Sequence, residues 1–195
     1  AKVIEDLAEV DDALMEKYLE GGELSSAELA SALTAGVLKG NFLPVFAGSA
    51  LLNMGVQPLM DFIVTSLPSP KDRAMPELKN AEGKTRPIKP EESEPFVGYV
   101  FKTMSDPYTG KLSMIRCLSG TLNPDSSVYN ASRSVKERVG SIITLEGKAT
   151  KPLDQVGPGD IFAVAKLKET KTGDTLLSDT LDMTLPSPKF PEASM

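Results

Sequence analysis

Asp106-Pro-Tyr-Thr-Gly-Lys-Leu-Ser-Met-Ile-Arg-Cys-Leu-Ser-Gly-Thr-Leu122 decides how the second half of this 195-residue chain is read. Pro107 presets φ for a turn, and Gly110 tolerates the positive φ that can follow, so a hairpin is predicted here. Its second arm alternates. Leu112, Met114 and Arg116 share one face, while Ser113, Ile115 and Cys117 share the other, and Gly120 with Asn123-Pro124-Asp125 ends the run.

The same grammar continues on both sides. Phe96–Met104, Leu112–Leu118, Ser127–Ala131, Val135–Leu145, Ile161–Leu167 and Thr175–Leu177 are short β-prone runs between Gly, Pro, Asn and Asp. Short strands at regular spacing predict a small antiparallel barrel or sandwich over residues 95–195. Ile115 and Cys117 are its expected core. Before it, residues 71–94 lose all periodicity and read as a linker or long surface loop.

Residues 1–70 follow a different rule. Val3, Leu7, Val10, Leu14 and Tyr18 recur every three or four positions, as on one face of a helix, and Gly21-Gly22 stops it. Ser25-Ser26-Ala27-Glu28 predicts a capping box at the start of a second helix, with Leu29, Leu33 and Val37 inward and Gly40 at its end. Asn41–Ala47 is apolar and β-prone despite Pro44. A glycine-bearing loop and a helix carrying Val56, Leu59, Met60, Ile63 and Leu67 come next, so a βα unit is expected. The fold class is thus an α/β segment of helices with a terminal βα unit, followed by a small antiparallel β-barrel.

Composition narrows the chemistry. The chain has no histidine, which excludes Ser-His-Asp and Cys-His nucleophiles within it, and one cysteine with no histidine makes a poor zinc site. A lone Cys117 also excludes an internal disulfide and suits a cytoplasmic protein. No stretch approaches the ~20 apolar residues a bilayer needs, so no membrane partner is expected. The first residues already belong to a helix pattern and no methionine precedes them, which suggests a piece of something longer.

Charge divides the chain. Residues 1–70 hold three Lys against ten Asp and Glu, while residues 95–195 hold twelve Lys and Arg against eleven. A nucleic-acid partner would therefore be met by a local cluster in the second half. Three apparent motifs fail. Gly110-Lys111 is followed by Leu112 and lacks the upstream glycine of a phosphate loop. Asn130-Ala131-Ser132 fits the glycosylation pattern but has no use in the cytosol. Gly157-Pro-Gly-Asp160 reads as a turn, because Pro158 removes an amide that an anion nest would donate.

The motifs taken together resemble a known family. Gly48-Ser-Ala-Leu followed by Gly55-Val-Gln-Pro-Leu59 resembles the fifth guanine-nucleotide motif of translational GTPases. Asp106-Pro-Tyr-Thr-Gly-Lys-Leu112, Arg116-Cys-Leu-Ser-Gly-Thr-Leu122, Lys136-Glu-Arg-Val-Gly140 and Thr172-Gly-Asp-Thr-Leu176 are similar to the second-domain signatures of elongation factor G, in order and spacing. Val10-Asp-Asp-Ala-Leu-Met-Glu-Lys-Tyr-Leu-Glu20 resembles the end of that family's insertion in its GTPase domain. The resemblance runs from near residue 3 to Pro191-Glu192.

The resemblance implies an internal piece of a factor that uses GTP to drive translocation of tRNA and mRNA on the ribosome. Residues 1–70 would be the end of the GTPase domain with part of its insertion, 71–94 a linker, and 95–195 the domain II barrel. Ser49, Ala50 and Leu51 would edge the guanine site of the intact protein, with the Ala50 amide on the guanine carbonyl and Ser49 bracing the turn. GTP or GDP with Mg²⁺ is implied for the intact protein only. The phosphate loop, the Mg²⁺-linked Asp and the Asn-Lys-x-Asp element are absent from these residues, so the fragment is expected to bind no cofactor and to be no enzyme.

Partners follow from the same resemblance: the remainder of the GTPase domain, and small-subunit ribosomal RNA met by the barrel. Arg133, Lys136, Arg138, Lys148 and Lys151 are the candidate contacts, since cations at strand ends reach phosphates without reading sequence; a solvated face is the alternative. Self-association of the fragment through Val3, Leu7, Leu29 and Leu33 is a further expectation. Lys166 stands where relatives usually carry glycine, and Glu146-Gly147-Lys148 replaces a His-Ala-Asn-like tip. Other translational GTPases, of the ribosomal protection or release-factor type, share these two domains. A free-standing interaction module with an OB-like barrel is the alternative from another class.

Overall fold

A computed structural model describes residues 2–9, 11–106, 110–147 and 149–188. The chain forms two compact units, Ala1–Arg73 and Ala74–Met195.

In the first unit the predicted leading helix is two. α1 (Lys2–Ala8) ends before α2 (Asp12–Leu19), because the Asp11 carboxylate accepts Ala13 N–H at 3.0 Å and Leu14 N–H at 3.2 Å and so caps a new start. The capping box of α3 (Ser26–Lys39) forms as the sequence predicts. Ser25 Oγ accepts Glu28 N–H at 3.3 Å, and Glu28 Oε2 accepts Ser25 N–H at 2.8 Å. Lys17 of α2 donates to both Glu28 oxygens, at 2.8 and 3.0 Å, tying α2 to α3. α1 packs on α3, burying Leu7, Ala8 and Ala32.

The strand expected at Asn41–Ala47 does not form. Residues 42–48 run outside any strand, with Leu43 at 88% and Val45 at 90% exposure. A strand needs a neighbour to take its amides and carbonyls, and among the described residues none pairs with this segment. Its hold on α4 (Val56–Ser66) is aromatic: the Phe46 and Phe62 rings lie 4.8 Å apart at 50°. Leu7 is buried and Leu29 and Leu33 are half-buried, while the side chain of Val3 lies outside the described residues; among the described residues the most exposed apolar side chains of this unit stand mainly on α4 and in the segment before it.

The second unit starts earlier than its sequence suggests. Within the stretch read as a linker, β1 (Glu77–Lys79) and β2 (Thr85–Pro87) pair as a hairpin. Asn80 Oδ1 holds the turn by accepting Glu82 and Lys84 N–H at 3.1 and 2.8 Å. Arms of three residues are too short to show a period, yet Leu78 is only 2% exposed.

The barrel itself is an eight-stranded antiparallel sheet. It comprises β3 (Val97–Asp106), β4 (Gly110–Ser119), β5 (Ser127–Asn130), β6 (Val135–Arg138), β7 (Ile142–Glu146), β8 (Ala149–Leu153), β9 (Ile161–Ala165) and β10 (Thr175–Leu177), ordered β6-β5-β10-β3-β4-β9-β7-β8. The run predicted as Val135–Leu145 is two strands, interrupted near Gly140. β8 went unpredicted because Lys151, Pro152 and exposed positions leave no alternation. The turn at 107–109 lies outside the described residues, but its arms pair in register from Asp106↔Gly110 to Tyr99↔Arg116, with a bulge at Phe101.

One apolar cluster fills the interior: Phe96, Val100, Ile115, Cys117, Val128, Ile142, Phe162, Val164 and Leu176 come from β3, β4, β5, β7, β9 and β10 or their ends. Leu122 and Val156 exchange two 3.1 Å backbone bonds inside it. A second cluster joins Leu78 and Ile88 to Val97, Ala131, Leu177 and Leu185 on the outer face. Gly120 has no substitute: at φ +66°, a Cβ would lie 2.4 Å from the Glu94 carbonyl oxygen. Burial pushes the Cys117 thiol up to about 12, so it packs as an apolar group.

Candidate functional site

Two separate regions carry the residues singled out in the sequence. The first is the loop between the extended segment and α4. Ser49 and Met54 exchange N–H···O bonds of 3.0 Å in both directions, and Ser49 Oγ accepts Leu52 N–H at 3.3 Å. The serine therefore ties the turn together from inside. Gly48 and Gly55 let its two limbs meet: a Cβ on Gly48 would lie 2.7 Å from the Met54 carbonyl oxygen, and one on Gly55 2.9 Å from that of Ala47. Ala50 is exposed and Leu51 is 95% exposed at the tip. The result is a pinned loop that presents main chain and a bare leucine.

The second region is the β5–β6 hairpin with the segment after β9. Lys136 and Arg138 alternate with Glu137 along β6, so the two cations are exposed while Glu137 turns inward and is 9% exposed. Arg138 reaches Asp125 at 3.4 Å with both side chains almost four-fifths exposed, a pairing that water weakens. Arg133 is held differently. Its Nε donates at 3.2 Å to Asp174, which is nearly buried, while the arginine side chain stays 39% exposed. Lys151 of β8 pairs with Glu146 across the β7–β8 hairpin at 2.7 Å, in the open. Lys148 lies outside the described residues.

Residues to which the sequence motifs assigned no site role lie beneath these cations. Glu137 Oε1 accepts Glu169 N–H at 3.0 Å, and Oε2 accepts Thr170 N–H at 3.0 Å and the Thr170 hydroxyl. Asn130 is wholly buried and donates Nδ2 to Thr170 Oγ1 at 3.0 Å and Asp174 Oδ2 at 2.9 Å. Its Oδ1 accepts Arg133 N–H at 3.1 Å. A buried carboxylate persists only when donors satisfy it, and here main-chain amides do much of that. The signal available in the sequence was the density of polar residues in Thr170–Thr175 next to apolar strands.

The remaining motifs are structural. In Gly157–Asp160 the Gly157 N–H donates to Asp160 Oδ2 at 2.8 Å, and the Gly159 N–H to the Cys117 carbonyl at 2.9 Å. Those amides are engaged internally, as a turn requires. Among the described residues no group of three or more His, Cys, Asp or Glu is placed to hold a metal ion, and no helix is long and apolar enough to cross a membrane.

Comparison with known proteins joins the two regions. Residues 95–179 match the family model described as elongation factor G domain 2. The chain is 42% identical over 184 residues to an elongation factor G of Neorickettsia sennetsu, covering 94% of this chain and 27% of that protein. It is 43% identical over 192 residues to one of Fervidobacterium nodosum, covering 97% and 28%. A crystal structure of a Thermus thermophilus protein aligns over 98% of this chain and 25% of its own, with TM-score 0.69 and 27% identity. The barrel is therefore of the translation-factor domain II type. More narrowly, it belongs to the elongation factor G domain 2 family, and the chain spans little more than a quarter of the length of the curated relatives it matches.

Proposed function

We infer that this chain is part of a cytoplasmic GTPase of the elongation factor G type, which uses GTP to drive translocation on the ribosome. It supplies one edge of the guanine site and a barrel that docks on small-subunit ribosomal RNA. The observation that carries this reading is the joint presence, in one chain, of the pinned Ser49–Leu51 loop and the domain 2 barrel. The loop offers main-chain donors at a fixed tip, as recognition of a planar carbonyl requires. The barrel offers Lys136 and Arg138 on one exposed strand, where phosphate contact needs no base reading. Division into a GTPase-domain part and domain II belongs to the same proposal.

GTP hydrolysis also needs a phosphate cradle, a magnesium ligand and a residue that orients water. None of the corresponding motifs stands in these residues, so the 195-residue chain alone should neither bind nor hydrolyse GTP. Titrating it with a fluorescent guanine nucleotide should give no saturable signal; micromolar binding would overturn that. Replacing Lys136 and Arg138 by Glu in a longer protein that contains both domains should weaken its association with small ribosomal subunits. The salt slope should fall by roughly one to two, with melting unchanged. Unaltered affinity would return both residues to the solvated face.

A further inference from the structure

The cations of the second region sit over two carboxylates that face the other way. Glu137 and Asp174 are 9% and 4% exposed, and their oxygens are taken up by Glu169 and Thr170 N–H, and by Asn130 Nδ2, Lys171 N–H at 2.8 Å and Arg133 Nε. Both acids thus bind the segment after β9 to the β5–β6 hairpin. That segment brings Lys166, Lys168 and Lys171, all exposed, and Lys111 Nζ donates to the Lys168 carbonyl at 3.1 Å.

The formal balance of residues 95–195 hides the consequence. Exposed at this edge are Arg133, Lys136, Arg138, Lys166, Lys168 and Lys171, against Glu169, Asp125 and Asp182, the last held by the Tyr129 hydroxyl at 2.9 Å. The other two acids are turned in and keep their charges, which donors satisfy from within the fold. A polyanion approaching the hairpin therefore meets a positive edge whose main chain is fixed from below.

We propose that Glu137 and Asp174 are positioning residues for phosphate binding, latching the 166–174 segment to the β5–β6 hairpin and tethering Arg133 by its Nε–H, with no other side-chain donor of Arg133 engaged among the described residues. This rests on reading the barrel as an RNA-docking module. A guanidinium carries five N–H donors, and Asp174 holds the Nε–H only, so the planar group is oriented before phosphate arrives. Orientation in advance removes part of the ordering entropy that binding otherwise opposes.

The test exploits a sign. Asp174→Asn removes a negative charge, so a field-only edge would bind a polyanion more tightly; a positioning role predicts the opposite. With the full 195-residue chain and RNA extracted from small ribosomal subunits, D174N should weaken binding roughly three- to tenfold. Its salt slope should fall by about one as Arg133 loses its aim. Glu137→Gln should free the amides of Glu169 and Thr170 to hydrogen exchange and weaken binding in the same sense. If D174N fails to fold, Arg133→Lys serves instead: it keeps the charge and lacks the Nε–H, so the field view predicts no change and the positioning view the same loss. Wild-type binding with unchanged or tighter variants overturns this proposal alone. Absence of any salt-dependent wild-type binding overturns the docking reading and this proposal with it.

Discussion

The barrel and the helical unit are built from comparably apolar stretches, yet they dispose of them in opposite ways. In the barrel, Phe96, Ile115, Phe162 and Leu176 are at most 2% exposed, and a second cluster covers part of the outer face of the sheet. In the helical unit, Val45, Leu51 and Val64 are 84% exposed or more, and Leu59, Met60 and Ile63 line an open face of α4. Amphipathic spacing says which face of an element wants a partner. Whether that partner lies in the same chain is settled only by tertiary pairing, as with the apolar Asn41–Ala47 run, which meets no second strand among the described residues.

The difference is largest for core truncation. Phe162→Ala removes a ring from a closed interior and should lower barrel stability by about 3–5 kcal/mol. Ile63→Ala removes a side chain already 47% exposed and should lower that of the helical unit by less than about 1 kcal/mol. Urea unfolding followed by hydrogen exchange at β4 and α3 amides separates the two. Equal losses would mean that α4 is covered in solution, and the contrast would break.

How far the sequence could be read follows the same division. Strands β3, β4, β9 and β10 were legible because each alternates over enough residues, or is apolar enough, to stand out from its turns. The β1–β2 hairpin and β8 were not, since arms of three residues and a Lys-Pro edge carry no period. The pinned turn at Ser49 was foreseeable from its glycines and serine. The network under Arg133 was not: Asn130 meets Asp174 across 44 positions and Glu137 meets Thr170 across 33, separations that no local pattern records. Arg133 and Lys136 look alike in sequence, and only the fold shows that one is tethered.

A smaller effect contrasts one backbone position from each unit. Lys166 has φ +65° and its N–H donates to the Lys111 carbonyl at 2.9 Å, so a left-handed residue is built into the β9 exit. This conformation costs most residues about 1–2 kcal/mol, and glycine adopts it freely, at some expense in unfolded-chain entropy. Lys166→Gly should therefore raise barrel stability by roughly 0.5–1 kcal/mol. Asn53, at φ +51° in the loop before α4, is an asparagine and tolerates that region, so Asn53→Gly should change little. Calorimetry on both variants decides; a loss in Lys166→Gly would show that the lysine side chain holds the exit.

The smallest effect is the acid sensitivity of the helical unit. Hydrogen bonds from Lys17, then from the Ser25 amide and hydroxyl, lower the Glu28 carboxyl from 4.5 to about 2. Ser69 lowers Asp72 in the same way, chiefly through its hydroxyl. A carboxyl depressed in the folded state binds its proton more readily in the unfolded chain. Its contribution is complete above the unfolded value and is lost as pH falls from about 4.5 towards 2. Asp72 is exposed and the Glu28 side chain is still 34% exposed, so water screens both and the loss is modest. Helix melting between about pH 5 and 2.5 should show α2 and α3 loosening in that window. Glu28→Gln should be weaker at neutral pH and flatter across the titration, because its side chain has no proton to take up. An unchanged slope in that variant would assign the acid response to other carboxylates and leave the ion pair between α2 and α3 without a part in it.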